Sequence, residues 1–417
     1  MQFHALPFHS ALQRALKEDH YLEPTPVQEA AIPVLLEGHD VMATAQTGTG
    51  KTAAFALPIL QSLIEAQTPH SNRAIKALVL APTRELALQI KDSFDRYSRK
   101  TSLRATAVYG GMPKRNQIIK IKRGVDILVA TPGRLLDLMQ MNVVKLNTVT
   151  TWVLDEVDQM LDMGFIDDVK KIAKAIPKQR QTMLFSATLP PAIETLASTL
   201  LRNPVRLSLA PQNQPLDTID QRVFRTQKMQ KVDTLNYILT QDSVTKALIF
   251  VKTKRYADVL SKQLYGLGQK AVVLHGDKSQ RARQDALKAF KTNRVPILIA
   301  TDVAARGLDI DVLSHVINFD MPATPETYLH RIGRTARAGK LGAAYNLCSS
   351  DENHLLKAIQ KHIGFVIPVD SSHPFHVKEV AQRPKRTHRP SFNGSNTKRF
   401  QGKNTSKKSS MKQKYAH

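Results

Sequence analysis

Cysteine is nearly missing from this chain: Cys348 stands alone among 417 residues. A single thiol closes no internal disulfide, and it rules out zinc sites built from four cysteines or from paired cysteines and histidines. Cys348 follows an apolar segment, which marks it as a packed strand residue rather than a nucleophile. Long apolar runs are missing too. No stretch approaches membrane-spanning length, and the opening Met1-Gln2-Phe3-His4 has neither the charged nor the apolar region of a secretion leader. These gaps exclude disulfide-stapled and membrane-spanning classes and point to a cytoplasmic protein with no membrane partner. Acidic residues are the third shortage, 35 against 60 lysines and arginines, for a net charge of +25. Such an imbalance points to a polyanionic partner, nucleic acid first. The plainer alternative is a basic protein that its charge merely keeps in solution.

What is present suits two domains and an extension better than one core. Apolar residues make up 42% and charged residues 23%, the balance of a globular protein. Residues 371–417 hold 12 lysines or arginines and one acid, Glu379, and so carry +11 of the +25. Poor in large apolar side chains, that segment cannot bury enough surface to fold alone and reads as a disordered basic arm. A solvated tail without function is the plainer alternative. Upstream, apolar runs alternate with helix-like stretches, the pattern of α/β domains with parallel sheets. Lys76-Ala-Leu-Val-Leu-Ala-Pro-Thr83 is echoed by Lys246-Ala-Leu-Ile-Phe-Val-Lys-Thr253, and Val125-Asp-Ile-Leu-Val-Ala-Thr131 by Val295-Pro-Ile-Leu-Ile-Ala-Thr301, both at an offset of 170. Two echoes at one offset imply two lobes of one design, the alternative being chance likeness between buried strands. Between them the polar stretch 210–218, with Pro211 and Pro215, suits an exposed hinge. The expected boundaries are therefore 1–209, 210–218, 219–368 and 369–417.

The densest chemistry lies in Val41-Met-Ala-Thr-Ala-Gln-Thr-Gly-Thr-Gly-Lys-Thr52, an apolar run feeding a glycine-rich turn. Gly48 and Gly50 let the backbone of Ala45-Gln46-Thr47-Gly48-Thr49-Gly50 curl so that its N–H groups face phosphate oxygens. A helix beginning near Lys51 adds the positive end of its dipole. Lys51 would neutralise the outer phosphates and the Thr52 hydroxyl would ligate Mg²⁺. About a hundred residues on, Thr151-Trp-Val-Leu-Asp155-Glu156 is an apolar run that ends in two acids. Asp155 suits a magnesium ion and Glu156 suits orienting and deprotonating an attacking water. In the second half, His330-Arg-Ile-Gly-Arg-Thr-Ala-Arg-Ala-Gly339 spaces Arg331, Arg334 and Arg337 three apart, so that on a helix they share a face. Across a hinge from a phosphate cradle, such arginines suit stabilising a transferring phosphoryl group.

Asp155-Glu156-Val157-Asp158, taken with these motifs in order over nearly all of residues 3–340, resembles the DEAD-box ATP-dependent RNA helicases, with valine in the third position of the acidic motif. The resemblance implies two tandem RecA-like domains joined by a hinge. Phe3, Tyr21 and Pro24-Thr-Pro-Val-Gln28 resemble the segment that reads adenine, which implies ATP as the nucleotide. Asp158, Ser186-Ala-Thr188 and Arg331 resemble the residues that couple the lobes, while Arg334 and Arg337 take the arginine-finger role and Asp309 holds the ribose. Thr83, Arg84, Gly110, Gly111, Thr131, Arg134, Arg283 and Thr301 resemble the RNA-backbone track. This chain departs from the family's usual residues at Ala45, Val157, His20 and Ala336. Its compact start resembles that of bacterial members.

Contacts to phosphate and sugar without base edges imply single-stranded and short duplex RNA with little sequence preference. ATP, magnesium and RNA would close the lobes, bend one strand and open a short duplex. The basic arm would add a salt-sensitive tether. Ribosome assembly, RNA decay and cold-stress remodelling are all compatible with the family, and proteins of those pathways are the implied partners. The alternatives are an RNA clamp or annealing chaperone that does not unwind, and a DNA translocase on the same lobes.

Overall fold

The computed structural model describes residues 2–45, 48–66, 73–209, 219–241, 243–305, 313–335 and 342–377. The first lobe runs through α1 (Ser10–Glu18), α2 (Pro26–Leu36), β1 (Val41–Thr44), α3 (Lys51–Glu65), β2 (Ala77–Leu80), α4 (Arg84–Tyr97), β3 (Ala105–Val108) and α5 (Lys114–Lys122). It continues with β4 (Ile127–Ala130), α6 (Pro132–Gln140), β5 (Thr151–Leu154), α7 (Val157–Asp162), α8 (Ile166–Ala173), β6 (Gln181–Ser186), α9 (Pro191–Leu200) and β7 (Val205–Ser208). The second lobe holds β8 (Ile219–Arg225), α10 (Lys231–Leu239), β9 (Ala247–Phe250), α11 (Lys254–Gly266), β10 (Ala271–Leu274) and α12 (Gln280–Lys291). After these come β11 (Ile297–Ala300), α13 (Asp302–Ala305), β12 (His315–Asn318), α14 (Pro325–Ile332), β13 (Gly342–Cys348), α15 (Asn353–Ile363) and β14 (Val369–Asp370).

Both sheets have seven strands, ordered β3-β4-β2-β5-β6-β1-β7 and β10-β11-β9-β12-β13-β8-β14. Shifted by seven, the two orders are identical. The strands of the two sequence echoes, β2 with β9 and β4 with β11, occupy equivalent places, so the offset of 170 reflects one architecture used twice. All strand pairings among these elements are parallel. Central strands such as β2, β4, β5, β9 and β11 are buried along their whole length, as helices on both faces require. The edge strand β7 alternates half-buried and exposed residues instead. Apolar layers pack both faces of the first sheet, one around Phe55, Phe94 and Phe185, the other around Trp152, Leu154 and Val157.

The second lobe extends beyond the boundary that composition placed at 368. Val369 and Asp370 pair with β8, the Val223 amide donates to the Pro368 carbonyl at 2.8 Å, and the Val377 amide donates to the Arg225 carbonyl at 3.1 Å. Ile367 and His373, 0% and 3% exposed, anchor this strap. Two buried anchors in a polar segment are invisible to a count of charges. The hinge 210–218 and the basic arm from 378 lie outside the described residues.

Candidate active site and nucleic-acid cleft

The C-terminal end of β1 feeds the glycine turn. Gly48 and Gly50 stand at φ +85° and +91°, a left-handed backbone that glycine adopts without strain, and Gly50 caps α3. A Cβ on Gly50 would run into the Gln28 amide and lie 3.0 Å from the Thr25 hydroxyl. Those side chains brace the loop. Thr25 Oγ1 donates to the Thr49 carbonyl at 2.8 Å, Gln28 Nε2 donates to the Gly50 carbonyl at 3.0 Å, and Gln28 Oε1 accepts from the Thr25 amide at 2.9 Å. Gln28 thus ties α2 to the glycine turn through Nε2 while its Oε1 closes the N-terminal cap of α2. Phe3 is buried and meets Tyr21 edge-on at 5.8 Å, so it buttresses that ring. Tyr21 is half-buried, and its hydroxyl lies 2.9 Å from that of Tyr97. Thr52 sits half-buried in the first turn of α3. Gln46, Thr47, Asp309, Ala336 and Arg337 lie outside the described residues.

Lys51 is buried at the start of α3, where Nζ donates to the Ala45 carbonyl at 3.0 Å and lies 3.9 Å from Asp155 Oδ1. Asp155 and Glu156 follow β5, each 2% exposed. Glu156 adopts φ +54°, a left-handed conformation uncommon for a side-chain-bearing residue and typical of functional turns. Asp155 Oδ1 and both Glu156 oxygens are buried without a hydrogen-bond partner in the protein. Burial pushes both carboxyls above their usual range, Glu156 to about 7; the Lys51 charge opposes the rise, and Arg334 of the second lobe also pulls Glu156 down. Buried carboxylates lacking donors are unfavourable unless a cation, a water or a donor from outside meets them. Asp155 Oδ1 fits a divalent cation on that ground. Val157 is fully buried in the apolar layer beneath.

On the first lobe Asp158, Ser186 and Thr188 form one hydrogen-bonded cluster. Asp158 Oδ2 accepts from the Ala187 and Thr188 amides, both at 3.1 Å, and from Thr188 Oγ1 at 3.4 Å. Ser186 Oγ accepts from the Asp158 amide at 3.2 Å and donates to the Thr188 carbonyl at 2.7 Å. The arginines of the second lobe depart from expectation. Arg331 and Arg334 do not share one helix face, because α14 ends at Ile332 with Gly333 as its cap. The chain then turns to pair Thr335 with Leu313, whose carbonyl accepts from Thr335 Oγ1 at 2.6 Å. Arg331, still on α14, grips Asp302 with Nε and Nη2 at 2.6 and 2.8 Å, and Nη1 donates to Asn318 Oδ1 at 2.8 Å. It fastens α14 to α13 inside its own lobe. Arg334, past the helix end, is the arginine whose charge reaches Glu156.

Beside this site a cleft of about 410 Å³ is lined by Thr83, Arg84, Gly110, Thr131, Arg134 and Arg283 together with Val303 and Ala304 of the second lobe. Six of the eight expected track residues therefore share one cavity. Gly111, at φ +76°, leaves room where a Cβ would strike the Arg84 guanidinium, and Thr301 lies buried at the end of β11. Thr83 caps α4, accepting from the Leu86 amide at 3.3 Å. Burial, then the charges of Arg283 and Arg134, hold Arg84 below the ordinary guanidinium range. Crowded, half-buried cations of this kind are relieved by an anion. Sequence reading passed over Glu85. Its carboxylate takes Arg283 Nη2 at 2.7 Å and Gln280 Nε2 at 3.4 Å, a buried bridge from first lobe to second. The available signal was an acid between Arg84 and an apolar helix, which reads as an ordinary helix-start residue.

Residues 25–196 match the DEAD/DEAH box helicase family model and residues 230–339 that of the helicase conserved C-terminal domain. Over 361 residues the chain is 42% identical to the DEAD-box ATP-dependent RNA helicase RhpA of Helicobacter pylori, covering 87% of this chain and 72% of that one. The chain belongs to the DEAD-box ATP-dependent RNA helicases. A second relative, CshA of Bacillus subtilis, is 42% identical over 352 residues, 84% of this chain and 70% of that one. Among solved structures, S. cerevisiae Dbp5 bound to RNA and ADP BeF3 superposes with a TM-score of 0.77 at 32% identity, covering 88% of this chain and 94% of that chain. The DEAD-box helicase Mss116 bound to ssRNA and UDP-BeF gives 0.79 at 30% identity, with 89% and 79% covered. The fold is accordingly the tandem RecA-like pair, and the protein is an ATP-dependent RNA helicase with RNA as partner. No helix among the described residues is long and apolar enough to cross a membrane.

Proposed function

We propose that ATP sits on the glycine turn with its outer phosphates at Lys51, and that RNA phosphates lie in the cleft lined by Arg84, Arg134 and Arg283. Glu156 carries this reading: both oxygens are buried without a hydrogen-bond partner, and charges from both lobes act on them. Glu156 orients the attacking water and takes its proton. Arg334 faces the charge that builds on the transferring phosphoryl group. Magnesium, held by Asp155 and the Thr52 hydroxyl, would offset charge on the phosphate oxygens. Asp158, Ser186 and Thr188 link the acidic motif to the chain leading toward the second lobe. Tyr21 offers a ring face for adenine, and Gln28 would trade its bonds to Thr25 and Gly50 for the base. Arg337 completes the arginine set and Asp309 the ribose contact.

Grip on phosphate and sugar rather than base edges implies local opening of short duplexes with little sequence preference, in the cytoplasm. The test is steady-state ATP hydrolysis with and without single-stranded RNA, with Glu156→Gln as control, followed by a duplex-unwinding assay. Strong RNA stimulation that the substitution abolishes is the expected result. Hydrolysis indifferent to RNA would overturn the coupling, and stimulation without strand separation would leave a clamp.

A further inference from the structure

We propose that the outer face of α5 is a second RNA-phosphate surface, continuous with the first-lobe end of the cleft. It rests on the reading of that cleft as an RNA track. Lys114, Arg115, Lys120, Lys122 and Arg123 fall within ten residues, with no acid between Gly110 and Gly124. Arg115, Lys120, Lys122 and Arg123 are exposed. Among the described residues none of these four has a carboxylate within 4.0 Å. On other helices some cations are matched, Lys170 with Asp167 and Lys171 with Asp168 on α8, Arg281 with Asp285 on α12 and Lys254 of α11 with Asp277, while others such as Lys262 and Lys357 are not. The α5 segment differs in gathering four unmatched cations within nine residues that hold no acid.

Helix stability does not explain the cluster. Lys120 and Lys122 suit the negative end of the α5 dipole, but Lys114 and Arg115 stand in its first turn, where cations oppose the dipole and no acid is present. Polyanion binding explains both ends. The helix is also fixed to the cleft wall. Gln117 Oε1 accepts from the Tyr109 amide at 3.0 Å, and its Nε2 donates to the Tyr109 carbonyl at 3.1 Å, one residue before Gly110. Arg134, a cleft residue, donates from Nη1 and Nη2 to the Met112 carbonyl, each at 3.1 Å. Lys114 Nζ pairs at 2.9 Å with Asp137, another cleft residue. Arg104 lies alongside, donating to the Arg123 carbonyl at 3.2 Å. From Arg115 to Arg123 the axial rise is about 12 Å, the reach of roughly three to four nucleotides of one strand in a duplex. A phosphate chain leaving the cleft past Gly110 would meet this face held in a fixed position.

The test uses the full chain with Arg115→Gln, Lys120→Gln and Lys122→Gln combined, glutamine being a sound helix former. RNA half-saturation of ATP hydrolysis is measured for a short strand confined to the cleft and for the same strand extended by a flanking hairpin. The expected result is an unchanged short-strand value, an unchanged maximal rate, and a long-RNA value about five- to tenfold higher. The salt slope for the long RNA should be shallower by about 2 to 3. Equal weakening of both RNAs would overturn the proposal, since the helix would then act through the cleft residues it touches. No change for the long RNA would overturn it as well, and would leave the face for an acidic protein. If the unsubstituted protein ignores even the short strand, the reading of the cleft fails first and the extension falls with it.

Discussion

Replacing Glu85 by glutamine sets two electrostatic effects of opposite sign against each other. Glu85 is a fixed negative charge on the wall of a cleft proposed for phosphates, so charge alone predicts that Glu85→Gln binds RNA more tightly, by about 1 kcal/mol in a wet cleft. The bridge predicts the reverse. At 2.7 Å from Arg283, with both side chains almost fully buried, the gross attraction at an effective dielectric near 20 is about 6 kcal/mol. Desolvation takes back most of it, leaving about 1.5–3 kcal/mol net for a charge-assisted hydrogen bond. That net term exists only while the lobes touch, so it belongs to closure rather than to the stability of either lobe. The bridge should win by the difference, about 0.5–2 kcal/mol, raising the RNA concentration for half-maximal hydrolysis about 2- to 30-fold with little change in melting temperature. The assay is a double-mutant cycle of Glu85→Gln and Arg283→Gln read by RNA half-saturation. The double variant should be scarcely worse than Arg283→Gln alone. Tighter RNA binding by Glu85→Gln, or additive single effects, would refute the bridge.

Three further outcomes follow from the same geometry. Glu156, protonated below about 7 in the unliganded protein, should give kcat/KM for ATP an ascending limb with a midpoint near that value, a limb that Glu156→Gln loses. Because its folded-state value is raised, this carboxyl favours folding most at low pH and loses that contribution as pH climbs through about 7. Glu156→Gln should therefore gain in relative melting temperature between about pH 5 and about pH 8. Val157→Ala removes two methyls from a fully buried site, which should destabilise the first lobe by about 1–3 kcal/mol in denaturant titration while leaving turnover close to the original; a rise by orders of magnitude would contradict the packing role. Gly111→Ala forces a Cβ into the Arg84 guanidinium at a left-handed position, and should raise the RNA half-saturation by about tenfold without altering KM for ATP measured in the absence of RNA.

What the sequence made legible was chemistry tied to short, rule-bound backbone. The glycine turn, the acids after β5 and the caps Thr83 and Thr131 each sit where an apolar strand must end, so the residue type and its place were read together. The doubled architecture was legible for a related reason: strands buried on both faces draw on few residue types, and a shared offset exposed their equivalence. The misplaced features depend on contacts remote in sequence. The even spacing of Arg331 and Arg334 implied one helix face, yet Gly333 ends α14, and Asp302 claims the first arginine while the second turns toward the other lobe. Glu85 looked like a helix-start acid because its partner lies 198 positions away. The strap to Val377 was hidden because two buried side chains fix it within a segment of tail-like composition.

The two charge clusters also account for why nucleotide and RNA should act together rather than in turn. Asp155 and Glu156 gather buried negative charge short of donors, while Arg84, Arg134 and Arg283 gather crowded positive charge. Each is relieved by a ligand of the opposite kind, and each takes a residue from the second lobe, Arg334 at the first and Arg283 at the second. Neither relief is complete until the lobes meet, and closure brings both second-lobe arginines into place at once. On the proposed reading, RNA that holds the cleft shut would therefore also present Arg334 to the phosphates. By linkage the factor by which RNA tightens ATP must equal the factor by which ATP tightens RNA. The Glu85–Arg283 bridge adds to closure whichever ligand is present, so weakening it should lower both affinities in parallel.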